Sequence, residues 1–179
     1  MFKKLDLKLD VPFILLKNEP ILYDEYPTYK WRGTVNQQLL KKSPYHVDTP
    51  VMFEVYNLKE ITEELVLKQL PKELLDLEVP EMFYVVAYKM GSGDGMIEPH
   101  IDRGRRCAIN LYLNCSGQVT TFYDDDLNAQ GHFIGEPDDV WALNVSQPHS
   151  VTLPNQDMRT LLSLSFKKIK FEKLIDVLT

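Results

Sequence analysis

Four histidines stand in the chain, His46, His100, His132 and His149, and one of them opens a His-x-Asp pair, His100 and Asp102. On a strand, residues i and i+2 point to the same face, so an imidazole and a carboxylate at this spacing converge on one ion. His149 follows inside Gln147-Pro148-His149-Ser150-Val151, where another strand is predicted to start. Two imidazoles and one carboxylate on one face of a metal leave several coordination positions open. That suits redox chemistry at iron(II), with a co-substrate and O₂ entering the open positions. A structural zinc site asks instead for four closed nitrogen or sulfur ligands. Taken alone, the His-x-Asp pair is as readily a surface hydrogen bond. Arg159 adds to it, because it opens the apolar run Arg159-Thr160-Leu161-Leu162-Ser163-Leu164-Ser165-Phe166. A buried Arg at a strand start is costly unless it meets an anion, and its planar fork fits a carboxylate at two points. An ordinary surface Arg at a turn is the competing reading.

Such side chains need a rigid frame, and the pattern from residue 81 onward supplies strands. Phe83-Tyr84-Val85-Val86-Ala87-Tyr88 reads as a strand, Gly91-Ser92-Gly93-Asp94-Gly95 as a loop, and Cys107 to Leu113 as a strand with period-two alternation. Short β-rich runs follow at 119–123, 132–134, 139–145, 149–153 and 159–168, separated by Ser/Gly, Asp/Asn and Pro/Asn turns. Upstream, 51–56 reads as a strand. A helix is predicted over 57–70, with Leu58, Ile61, Leu65 and Leu70 near helical spacing and Pro71 as its stop. A second short helix covers 72–77. The expectation is a mainly β protein with flanking helices, a jelly-roll core of the double-stranded β-helix or cupin-like kind. One domain is expected over 1–179, with 1–80 as helical or irregular cover and 81–170 as the core.

Strand parity sorts the candidates further. Cys107, Ile109, Leu111 and Leu113 share one face and suit packing between layers. Arg106, Ala108, Asn110, Tyr112 and Asn114 share the other, a polar face ready for a ligand. The Arg159 face of the last strand carries Leu161, Ser163 and Ser165. Metal and co-substrate would then lie inside the open mouth of the barrel.

His100-x-Asp102, then His149, then Arg159 ten residues on resembles the Fe(II)/2-oxoglutarate-dependent dioxygenase family. The stretches Ala87-Tyr88-Lys89-Met90-Gly91-Ser92-Gly93-Asp94-Gly95 and Arg106-Cys107-Ala108-Ile109-Asn110-Leu111-Tyr112-Leu113-Asn114 are similar to the prolyl-hydroxylase branch. The likeness covers roughly residues 81–168. It implies iron held by His100, Asp102 and His149, the far carboxylate of 2-oxoglutarate on Arg159, and Tyr88 and Tyr112 as further co-substrate contacts. Asn110 reaches the co-substrate or plays a cross-strand structural role. The implied activity is hydroxylation of an amino acid or a peptidyl residue, with 2-oxoglutarate and O₂ going to succinate and CO₂. The nucleic-acid demethylase branch carries an Asn where this chain has Val86 and a second Arg where it has Ser165, which disfavours base repair. Asp102 is present, so halogenation is disfavoured too. A non-enzymatic jelly-roll module for metal binding or assembly is the alternative. A cupin-type metal enzyme that uses no 2-oxoglutarate ranks behind it, because no third His stands near the first pair.

Composition narrows the class. The 179 residues are 44% hydrophobic and 26% charged, enough to bury a core, and Gly 8 with Pro 11 excludes collagenous and disordered chains. A net charge of −6 counts against non-specific binding to nucleic acid or an anionic membrane. A small-molecule or peptidyl substrate is expected in their place. Cys107 and Cys115 have neither redox nor zinc-knuckle spacing and read as reduced thiols. Asp6, Lys8 and Asp10 interrupt any signal-peptide core, so a cytoplasmic location is expected. Trp141 reads as core, His132 as solvated, the run Asp124-Asp125-Asp126 as a charged turn, and His46 as remote from chemistry. Arg103, Arg105 and Arg106 either fasten a substrate carboxylate over the metal or balance nearby acids.

Overall fold

The computed structural model describes residues 1–11, 26, 29–32, 49–89, 95–115, 117–153 and 158–179. His46, residues 91–94 of the glycine loop and most of the aromatic-rich start lie outside these. In chain order the elements are β1 (Phe2–Lys4), β2 (Tyr29–Arg32), β3 (Thr49–Asn57), α1 (Glu60–Leu67), α2 (Lys72–Leu77), β4 (Glu81–Lys89) and β5 (Gly95–His100). After them come β6 (Cys107–Asn114), β7 (Gln118–Tyr123), β8 (Ala129–Gly135), β9 (Val140–Leu143), β10 (His149–Leu153), β11 (Met158–Phe166) and α3 (Phe171–Leu178).

Two antiparallel layers form from alternate strands. β9, β6, β11 and β4 make one layer, and β5, β10, β7 and β8 make the other. From β4 the chain passes back and forth between the layers until β11. That winding is a double-stranded β-helix, the jelly-roll architecture. β3 joins the layers along one side, antiparallel to β4 and parallel to β5 through Thr49 and Pro50. β1 extends the first layer beyond β9, held by Lys4 pairing with Asp139 at 2.5 Å. The sheet therefore includes strands that precede residue 81.

Both faces of the first layer are covered, and the outward one is apolar throughout. Cys107, Ile109, Leu111 and Leu113 of β6, with Leu162, Leu164 and Phe166 of β11, face outward. They pack against Val66, Leu70, Leu74 and Leu174 from the helical side and Leu5 and Leu9 from the N-terminal segment. Each fully buried Leu in that layer contributes about 1.5–3 kcal/mol. The opposite face lines the barrel interior with Val85, Ala108, Tyr112, Leu143 and Leu161, which meet Phe122 and Phe133 of the other layer. Trp141 stacks on Phe133 with ring centroids 4.0 Å apart.

Three elements depart from the sequence expectation. α1 buries Thr62 and Val66, while Ile61 and Leu65 stay exposed, so the helix is rotated from the predicted stripe. Tertiary packing wins here over the apolar count of an eight-residue helix. β5 begins at Gly95, where a loop was expected. A Cβ at Gly95 would stand 2.6 Å from Lys89 Cγ and 2.7 Å from Val51 Cγ2, so the strand seats only because that residue is Gly. Finally, the chain does not stay β to its end. α3 places Phe171, Leu174, Ile175 and Leu178 at i, i+3, i+4 and i+7 toward the outer core.

Candidate metal centre and anion chamber

β5 and β10 run antiparallel and place His100 directly opposite His149, with ring centroids 4.4 Å apart. Asp102 sits two residues past His100, but β5 has already ended there. Its place comes from a turn that passes through Gly104 at φ +84°, and from its backbone N–H donating to the Val145 carbonyl at 3.0 Å. One ligand atom from each of the three lies within 4.8 Å of the others. The Asp102 Oδ1 atom is 3.6 Å from His100 Nε2, and Oδ2 is 3.7 Å from His149 Nε2.

Both imidazoles are oriented in the same way. His100 Nδ1 lies 2.6 Å from the Glu98 carbonyl oxygen, and His149 Nδ1 lies 3.0 Å from that of Gln147. Only an N–H makes such a contact, so Nδ1 carries the proton and the Nε2 lone pair is left for a metal. His149 is also kept neutral. Burial, reinforced by the neighbouring His100, pushes its pKa down to about 4. Its side chain is 7% exposed and its ring stacks on Phe122 at 5.5 Å, whereas the His100 side chain is 38% exposed. A metal here is thus enclosed on the His149 side and reachable on the His100 side.

Two imidazoles and a carboxylate are a chemically suitable donor set for a divalent transition metal. One ligand atom from each side chain lies within 4.8 Å of the others, close enough for all three to converge on one ion.

The second feature lies in the same barrel interior. Arg159 of β11 faces inward, in register with Ala87, and is 6% exposed. Its Nη1 donates to Gln118 Oε1 at 3.0 Å, its Nε has no hydrogen-bond partner, and among the described residues no carboxylate pairs with it. Burial penalises its charge, and the support it receives from Asp102 is a weaker influence. One more donor in this space is also unpartnered, Gln118 Nε2. Tyr112, 1% exposed, has Thr120 and Asn110 beside its hydroxyl, and burial raises its pKa so that the phenol stays protonated. Gly135 closes the space, since a Cβ there would stand 2.9 Å from Gln118 Nε2 and 3.1 Å from Tyr112 Cε1. A buried guanidinium among unmet donors is an expensive arrangement in an empty protein, and an anion relieves it.

The structure therefore gathers His100, Asp102 and His149 at one point, and Arg159, Tyr112 and Asn110 in the adjoining interior. Tyr88 is not with them. On β4 it shares the outward face with Met82 and Tyr84, and its hydroxyl lies 3.4 Å from Glu54 Oε1. Parity is the reason: Ala87, opposite Arg159, is the inward residue. Gln118 and Thr120 were missed by sequence reasoning, although two polar residues alternating through a run of six buried ones are a visible signal. Of the three arginines, Arg105 pairs with Asp102, while Arg103 and Arg106 are exposed. His132 is exposed on β8, and Asp124 caps its own turn by accepting from the Asn128 N–H at 2.8 Å.

No family model and no curated protein sequence matches the chain. Solved structures are similar to it at low identity. The ribosomal oxygenase YcfD of Escherichia coli is 15% identical over 75% of this chain and 36% of its own, with a TM-score of 0.45. This chain thus spans about a third of that protein's length. An oxidoreductase of the 2OG-Fe(II) oxygenase family from Burkholderia pseudomallei is 12% identical over 72% of each chain, with a TM-score of 0.47. An oxalate decarboxylase of Bacillus subtilis is 14% identical over 73% of this chain and 29% of its own, with a TM-score of 0.40. Likenesses this distant carry no activity across. Among the described residues, no helix is long and apolar enough to cross a membrane.

Proposed function

We propose that the protein is an Fe(II)- and 2-oxoglutarate-dependent oxygenase that hydroxylates an amino acid or a peptidyl residue. The observation that supports this most strongly is one barrel interior holding both a His-Asp-His group and a buried guanidinium with no described carboxylate partner. A metal alone would explain the first and leave the second unpaid. A dicarboxylate co-substrate, with one end at the metal and the other at Arg159, accounts for both.

Residue roles follow from the geometry. His100 and His149 offer Nε2 atoms, and Asp102 offers its carboxylate. When bound, iron with 2-oxoglutarate and O₂ would supply the oxidising power for C–H hydroxylation, with succinate and CO₂ as co-products. Arg159 fixes the far carboxylate, and Gln118 Nε2 has free hydrogen-bonding capacity beside it. Tyr112, kept as a phenol, donates rather than repels an anion. The apolar lining of Phe122, Leu161 and Val85 keeps water from the inner end, while the half-exposed His100 marks the side from which a substrate approaches. The prolyl-hydroxylase likeness of the 106–114 strand makes proline and prolyl peptides the first substrates to screen.

Anaerobically iron-loaded protein, given 2-oxoglutarate and then air, is expected to form succinate without added substrate, and the His100→Ala protein is expected not to. If the wild type forms no succinate and shows no 2-oxoglutarate-dependent visible band, the reading falls and a metal-binding module takes its place.

A further inference from the structure

The two imidazoles of the His-Asp-His group are each held by the carbonyl of the residue two before them, but the carboxylate has no such support. Asp102 lies outside β5, in a turn whose next residues are Arg103 and Gly104. Its Oδ2 is buried and accepts no hydrogen bond, and Arg105 Nη2 lies 2.7 Å from it as a charge contact three residues along the same turn. Arg105 is in turn fastened. Its Nη1 donates to Ser165 Oγ at 2.9 Å and to Ser163 Oγ at 3.3 Å, both on the inward face of β11. Its side chain is 28% exposed, which distinguishes it from a freely solvated surface arginine.

We propose that Arg105 is the positioning residue of this centre. It ties the Asp102 carboxylate through one oxygen to β11, so that the group presents a metal with one oxygen instead of two. The inference rests on the metal reading above and deepens it. A carboxylate on a turn is free to rotate about its last two torsions, and a two-oxygen mode would occupy a coordination position the co-substrate or O₂ needs. The guanidinium suits the task because its planar fork reaches two sides at once, one nitrogen beside the carboxylate and one donating to the serine pair. A lysine would meet only one of them. β11 would then serve the site twice, through Arg159 at its start and through Ser163 and Ser165 further along.

Cobalt(II) is the probe, since its visible bands report coordination number and its affinity is read by titration without any turnover. Three proteins are compared with wild type: Arg105→Gln, Arg105→Lys, and Ser163→Ala combined with Ser165→Ala. The expected result is a 10- to 100-fold loss of Co(II) affinity in Arg105→Gln, about the range found for outer partners of metal ligands. A changed band intensity should accompany it. The serine double variant and Arg105→Lys should fall between, with unfolding midpoints near wild type. Wild-type affinity and an unchanged spectrum in Arg105→Gln would overturn the proposal, as would equal losses in all three tracking lost stability. If the wild type itself holds no Co(II) while remaining folded, the metal reading fails, and that outcome is distinct from a failure of Arg105 alone.

Discussion

His100 and His149 stand opposite one another across the β5–β10 ladder, each with Nδ1 at the carbonyl oxygen of the residue two before it. The two ligands thus share one orienting device but not one environment. His100→Ala should abolish high-affinity metal binding and leave the unfolding midpoint nearly unchanged. His149→Ala should abolish binding and also cost about 2–3 kcal/mol, because it removes a buried ring stacked on Phe122. Metal titration and denaturant unfolding on both proteins separate the two. Equal stability losses would mean the His100 side is packed as tightly as the His149 side.

Acid should destabilise the metal-free protein in a defined window. His149 titrates near 6.5 when unfolded and at about 4 when folded, chiefly through burial, with His100 and Arg105 opposing its charge and Asp102 favouring it. Between those values the unfolded chain binds the extra proton, so stability rises with pH there. The contribution is intact above 6.5 and is lost progressively toward 4, on the order of 3 kcal/mol in all. Unfolding with chelator present, run from pH 7.5 to 4 against His149→Gln, isolates it. A variant with the same slope as wild type would show that carboxylates, not His149, set the acid limit.

The gathering of His100, Asp102 and His149 was legible because its signal is local and chemical: a His-x-Asp pair plus a second His at a strand start. Even so, the i, i+2 argument was only half right, since Asp102 is off the strand and is aimed by a turn. The jelly roll was legible from short strands at regular spacing. Which face of β4 turns inward was not legible, because Met82, Tyr84 and Val86 are as apolar as Phe83, Val85 and Ala87, and only the ladder with β11 decides. That is why the side to which Tyr88 turns could not be read from the sequence. β1 could not be read either, three residues whose pairing belongs to β9. α3 and the polar alternation of Gln118 and Thr120 did leave marks in the sequence that the strand pattern around them masked.

The two thiols should be inert in the native protein. Cys107 and Cys115 are buried, and burial pushes both pKa values up to about 12, so almost no thiolate exists at neutral pH. A thiol-reactive disulfide reagent should label neither residue in the folded protein and both in denaturant. Fast labelling under native conditions would indicate local opening of β6, whose residues wall both the core and the chamber.

Arg159→Met should have opposite effects on stability and binding. The guanidinium is buried without a carboxylate among the described residues, so replacing it with an apolar chain of similar length removes a charge burial cost. The metal-free, ligand-free protein should unfold at the same temperature or a higher one. Affinity for 2-oxoglutarate should fall at least about 10-fold, the equivalent of one lost charge-assisted contact. A marked drop in stability instead would identify Arg159 as a structural residue.

Gln118→Glu tests the chamber without deleting anything. The substitution keeps the shape of a side chain whose Oε1 already accepts from Arg159 Nη1 at 3.0 Å, and turns that neutral contact into an ion pair. Arg159 would then find its anion inside the protein. Two effects should follow from that one change. Stability without ligand should rise, by roughly 2–4 °C for each kcal/mol gained in a chain of this size. Affinity for 2-oxoglutarate should fall by about 10- to 100-fold, because the built-in carboxylate competes for the same guanidinium and repels the incoming one. Cobalt(II) affinity, read in the absence of 2-oxoglutarate, should stay at the wild-type level, since the metal group is not in contact with residue 118. Unchanged 2-oxoglutarate affinity in this variant would place the co-substrate's far carboxylate away from Arg159 and remove the main support for the dicarboxylate reading.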